Sequence, residues 1–157
     1  MSESPGTAYW KVVEPVWERI DIYRSPERFL ETYSAAGTKA ARLFAVHFCQ
    51  SEVRNGGFHQ FFGNSTGVLA PEAVEGFRSI GMPDAAEILE RAMAWFGETY
   101  PRERQLRQAL LESVAGEQRE EWDPFYALDD PFFDALAGDD DRFERQADEY
   151  ASRASAS

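Results

Sequence analysis

Apolar residues recur at helical spacing along most of the chain. Trp10, Val13, Trp17 and Ile20 form the first stripe, and Pro15 inside it should start a helix or kink one. SPERFLETY follows, with Ser25 as cap, Pro26 at the first helical position and Glu27 near the positive end of the dipole. Gly37 should end that helix, and Thr38 can cap the next. There Ala41, Phe44, Ala45, Phe48 and Cys49 mark one face, widened by Leu43, Val46 and Val53. A face that wide predicts a central, largely buried helix. APEAVEGFRSIG, MPDAAEILERAMAWF and PRERQLRQALLESV each place a proline early, at Pro71, Pro83 and Pro101. Ile88, Leu89, Ala92, Met93 and Phe96 share one side of the second of these. Leu106, Ala109, Leu110 and Val114 are the expected inward set of the third. Residues 116–131 read as loop, punctuated by Pro124 and Pro131, and two short acidic helices are expected near 131–137 and 140–153. No segment alternates with period 2, so the predicted fold class is all-α, a single compact domain of about seven or eight helices. Its expected bounds are 11–150, with an acidic part over 112–150, a frayed N-terminus over 1–10 and a flexible tail over 151–157.

The densest stretch is EVRNGGFHQFFGNSTG, residues 52–67. Asn55-Gly56 signals a hairpin when alternating strands flank it, but here the flanks are helical. Phe58, Phe61 and Phe62 fall at i, i+3, i+4. No phosphate-loop glycine pattern is present. The reading is a helix corner. Asn55 or Gly56 takes the left-handed conformation that ends the central helix, and Gly57 lets the next backbone pass close. The three phenylalanines then drive a short helix into the core, and Asn64-Ser65-Thr66-Gly67 turns out of it. Glu52, Arg54, Asn55, Gln60 and Asn64 either tie this joint by hydrogen bonds or line a polar pocket for a small ligand.

This stretch resembles the signature of the DNA-mimic-protein family, long catalogued as a domain of unknown function. Its members look like EVxNGGFxQFFxNxxG, followed by a short helix, an IG break and another helix. The positions that carry the likeness are Glu52, Asn55, Gly56, Gly57, Phe58, Gln60, Phe61, Phe62, Asn64 and Gly67, then Ile80-Gly81 and PDAAEIL. FYALDD, residues 125–130, resembles an acidic segment near the family's C-terminus. The resemblance covers residues 35–150, whereas Asp139–Asp141 and the Ser/Ala tail depart from the pattern. The family is named for a member proposed to present carboxylates where a DNA-binding protein expects phosphates. The resemblance implies an all-α fold and leaves a homodimer open. It transfers mimicry only weakly, because the shared signature is not the acidic surface.

Charge gives that idea a location. The formal net charge is −12, which disfavours direct binding to nucleic acid or to an anionic membrane. Residues 112–157 hold 14 acidic and 4 basic side chains, against 14 and 12 before them. Asp141, Glu144 and Asp148 fall at i, i+3, i+7, Asp140 joins them through Glu144, and Glu149 extends the patch. Carboxylates at i, i+3 and i+4 lie about 5–6 Å apart at their Cβ atoms, the order of a phosphate row. Asp129, Asp130 and Asp134, with Glu120, Glu121 and Asp123, could form a second cluster, and Asp139 adjoins the first. Arg142 and Arg145 dilute the row. The expected partner is a basic DNA-binding protein, a transcription regulator or nucleoid protein. The plainer reading is a solvated acidic face that keeps the protein soluble.

Nothing points firmly to catalysis. His47 and His59 are the only histidines, and no metal-ligand spacing accompanies them, so no catalytic residue, metal or cofactor is expected. His47 reads as a core histidine and His59 as exposed near the corner. Cys49, the lone cysteine, reads as a small buried side chain and forms no dyad with His47. With no signal-peptide pattern and no spanning apolar run, the expected location is cytoplasmic.

Overall fold

The computed structural model describes residues 4–115 and 124–153. Among them are eight α-helices and no strand: α1 (Thr7–Val13), α2 (Pro26–Ala35), α3 (Thr38–Gly63), α4 (Ala70–Ser79), α5 (Pro83–Ala94), α6 (Arg104–Ala115), α7 (Tyr126–Ala137) and α8 (Arg142–Ser152). Short 3₁₀ turns follow α1 at Glu14–Val16, where Pro15 sits, and precede α4 at Ser65–Leu69. The all-α expectation holds.

The wide apolar face of α3 has the consequence expected of it. This helix packs against α1, α4, α6 and α7, and Leu43, Phe44, Ala45, Val46, Cys49 and Val53 are buried. Phenylalanine does most of the filling around it. Phe58 lies 4.9 Å from Phe132 between ring centroids, Phe62 5.0 Å from Phe125, and Phe77 meets both Phe132 and Phe143. Burying one such ring contributes about 1.5–3 kcal/mol before entropy is counted. These contacts draw α7 and α8, the acidic end of the chain, onto the same core as the corner.

Several boundaries differ from the sequence reading. Residues 7–10 were expected to fray but form the first turns of α1, which packs on α8. The tail is ordered as far as Arg153: α8 runs to Ser152, and Nζ of Lys39 donates to the carbonyls of Ala151 (3.2 Å) and Arg153. Thr38 is the first residue of α3 rather than its cap, and Gly37 stands at the cap position with φ 92°. Helix α6 begins at Arg104, three residues after Pro101. Its inward set is also rotated. Leu106 is 50% exposed and Ala109 is exposed, while Arg107 and Leu111 are buried. The side chain of Val114, like Glu120, Glu121 and Asp123, lies outside what is described. Pro131, read as loop punctuation, sits inside α7, which starts at Tyr126. The buried rings of Phe125 and Phe132 on either side hold that turn against the core, which outweighs the proline's missing N–H.

Candidate functional site

The corner is a kink inside α3. Gly56 (φ −151°, ψ 20°) and Gly57 (φ 76°, ψ 177°) leave helical geometry, and the helix resumes at Phe58. The left-handed residue is therefore Gly57, not Asn55 or Gly56. A kink exposes fresh helix ends, with unmade N–H groups on one side and unmade carbonyls on the other. Each end of the short limb 58–63 is met by a side chain from far along the chain.

At its start stands Asp129 of α7. Its Oδ1 accepts from the N–H of Phe58 at 3.0 Å. A β-carbon on Gly57 would fall 2.8 Å from Oδ2 of the same carboxylate, so the close approach that glycine permits is that of an acid to a helix N-terminus. At its end stands α6. The Arg107 side chain has no exposed surface and pairs with no carboxylate among the described residues; it donates to the carbonyls of Phe62 (2.8 Å), Asn64 (2.9 Å), Pro101 (3.2 Å) and Arg102. Arg104 and Gln108 both donate to the carbonyl of Gly63, at 3.1 and 2.9 Å. The guanidinium of Arg107 lies on Gly67, where a β-carbon would come within 2.7 Å of Nε. Burial pushes the Arg107 pKa down from its usual value. The short limb thus carries a carboxylate at its positive end and guanidinium groups at its negative end.

The polar side chains of the corner mostly satisfy one another. Oε2 of Glu52 accepts from Nε2 of Gln60 at 2.7 Å and from Nδ2 of Asn64 at 3.3 Å. Phe58, Phe61 and Phe62 are buried. Asn55 is exposed at an open depression that Gln50, Ser51, Glu52 and Arg54 also line. Arg54 turns away from the corner to Glu144. His59 is half-buried rather than exposed, because the resumed helix turns it against the body.

The acidic residues divide into two groups. Besides Asp129, Asp148 is used internally. Its two oxygens accept from the N–H groups of Gly6 (2.8 Å) and Tyr9 (2.9 Å), capping α1 from α8. Glu144 is largely buried and pairs with Arg54 at 2.9 Å, and its second oxygen is buried without a hydrogen-bond partner. Arg54 in turn lies over the ring of Phe143. The remaining candidates face solvent: Asp130 and Asp134 one turn apart on α7, Asp139, Asp140 and Asp141 in the turn before α8, and Glu149 on α8, beside Arg153. Asp141 has a positive φ of 51°. Arg142 lies among this outward group, lining one depression with Arg145, Asp134, Asp139 and Glu149. It pairs with Asp84 of α5 at 2.7 Å and donates to the carbonyl of Ala135. Sequence spacing cannot separate Asp129 from Asp130, because the difference is made by a kink 71 residues earlier.

His47 is ringed by aromatics, with Tyr9, Trp10, Trp17 and Phe48 all within 5.8 Å between ring centroids. Burial lowers its pKa to about 4 and raises that of Tyr9. The Tyr9 hydroxyl and Nδ1 of the neutral ring share a hydrogen bond of 2.8 Å. Cys49 is fully buried, which pushes its thiol pKa up and keeps it unreactive. No group of three metal-binding side chains occurs among the described residues, and none of their helices is long and apolar enough to cross a membrane.

Comparison with curated proteins and with solved structures finds no match. A family model does match, over residues 37–154, a span that runs from the start of α3 to the end of α8 and includes the kink, both of its capping groups and the acidic helices. On that match, the chain belongs to the DMP19-like protein family.

Proposed function

We propose that this protein is an acidic interaction protein that occupies the DNA-binding surface of a basic DNA-binding protein, a transcription regulator or nucleoid protein. The family match carries the reading. The geometry supports it by narrowing the contact set. Asp130, Asp134, Asp139, Asp140 and Asp141 face outward along α7 and the turn after it, with Glu149 nearby. Lys and Arg side chains of a partner would pair with them by charge-assisted hydrogen bonds, fast to form and steeply sensitive to salt. Asp129, Glu144 and Asp148 are engaged inside the fold and drop out of the set. The alternative, a small ligand held by the corner itself, gains nothing, since Gln60 and Asn64 both donate to Glu52.

The test is a pull-down from nuclease-treated lysate with duplex DNA as competitor. A DNA-binding protein should be retained at low salt and displaced by duplex. Asp130→Lys, Asp134→Lys and Asp140→Lys together should abolish retention. Retention that duplex does not compete, or that survives charge reversal, would sink the reading.

A further inference from the structure

One cavity runs against the charge of the molecule. Between the start of α2 and the start of α6 lies a pocket of about 390 Å³, lined by four arginines and a single glutamate, in a chain of net charge −12. That volume is in the range of small-ligand sites. Two of the arginines form its fixed wall. Arg102 makes a two-pronged pair with Glu72, at 2.8 and 2.9 Å, and Arg107 is committed to backbone carbonyls. The other two are available. Arg104 uses Nε on the carbonyl of Gly63 and reaches Oγ of Ser65 with one amino group, and it pairs with no carboxylate among the described residues. Arg24 approaches from the opposite side, 75% exposed and, among the described residues, paired only with Asp21 at 3.4 Å.

We propose that this pocket binds a small molecule carrying a phosphate monoester. Arg24 and Arg104 converge on it from two separate segments, and a guanidinium fork matches the phosphate oxygens. The hydroxyls of Ser25 and Ser65 also line the cavity. Ser25 accepts from the N–H of Arg28 and Ser65 from Arg104, so each has its O–H left to donate. Helix α2 begins at the same edge, where Ser25 and Pro26 line the pocket, so the positive end of its dipole adds to the guanidinium charge. Donors from three directions suit three phosphate oxygens better than the two of a carboxylate. Tyr23, 77% exposed at the rim, offers a ring for an attached base or sugar to lie against. This site is separate from the outward carboxylates of α7 and from the mimic reading.

The experiment is calorimetric titration at low ionic strength with inorganic phosphate, adenosine monophosphate and adenosine as probes. Phosphate and the monophosphate should bind saturably, and adenosine should not. Arg104→Gln and Arg24→Gln should each weaken binding roughly tenfold or more. Gln108 still serves the Gly63 carbonyl in the first variant, and Arg24 supports no core contact, so an unchanged melting temperature certifies both. No binding of either phosphate probe, binding equal to wild type in both variants, or binding of adenosine alone would overturn the proposal.

Discussion

Asp129 and Asp130 are neighbours in sequence and opposites in the fold. The first is turned inward, capping the limb of α3 that starts at Phe58, and the second points into solvent on α7. The same division separates Asp148, which caps α1, from Glu149, which lies on the surface. An excess of acid in the last third of the chain is therefore two things at once. Some carboxylates terminate helices that belong to the first half of the chain. Others, among them Asp130, Asp134, Asp139, Asp140, Asp141 and Glu149, face solvent. Composition counts both kinds alike, and only the position of distant helix ends tells them apart.

The largest effect should come from the opposite pole of the same device. Arg107→Met removes the donor to four buried or half-buried carbonyls, of which that of Asn64 keeps the N–H of Gly67. A loss of about 3–5 kcal/mol is expected, read by urea unfolding, with the far-UV helical signal weakened or lost. If the variant is as stable as wild type, the limb of α3 does not depend on its C-terminal cap. Next in size are the inward carboxylates. Asp148→Ala should cost about 1–2 kcal/mol, because the N–H groups of Gly6 and Tyr9 lose their acceptor. Amide exchange in residues 6–10 should rise with it, and unchanged protection there would count against the cap.

A smaller, pH-dependent effect belongs to His47. Its folded pKa, about 4, lies below the unfolded value, so the unfolded chain binds the extra proton as pH falls. The contribution is intact above about pH 6.5 and is lost progressively as pH falls from there toward 4. His47→Gln should flatten the melting temperature over that window. Asp84, held below its usual pKa by the Arg142 guanidinium, should titrate out only at lower pH. A variant that keeps the full slope between pH 6.5 and 4 would place the proton elsewhere.

How far the sequence carries depends on what each residue type signals. Phe58, Phe61 and Phe62 at i, i+3, i+4 announced a buried turn of helix, and it is there. The glycine pair announced a break, although its left-handed residue proved to be Gly57. The orientation of α6 was not legible. Leu106 and Leu110 drew the apolar stripe toward themselves, yet the buried position belongs to an arginine. Hydrophobic periodicity cannot report a charged side chain whose partners are main-chain carbonyls. The remaining clue was Gly67, whose missing side chain makes room for that guanidinium, but a glycine names no partner. The split among the acids was hidden for the same reason, since both halves of each contact lie far apart in the chain.

The most direct test compares two variants of equal charge by thermal unfolding. Asp129→Ala with Asp148→Ala removes two inward carboxylates, and Asp130→Ala with Asp134→Ala removes two outward ones. The account predicts a melting temperature lowered by roughly 4–12 °C in the first, from about 2–3 kcal/mol of lost capping, and within about 2 °C of wild type in the second. Equal shifts in the two variants would contradict the division, and the acidic third would then be one undifferentiated surface.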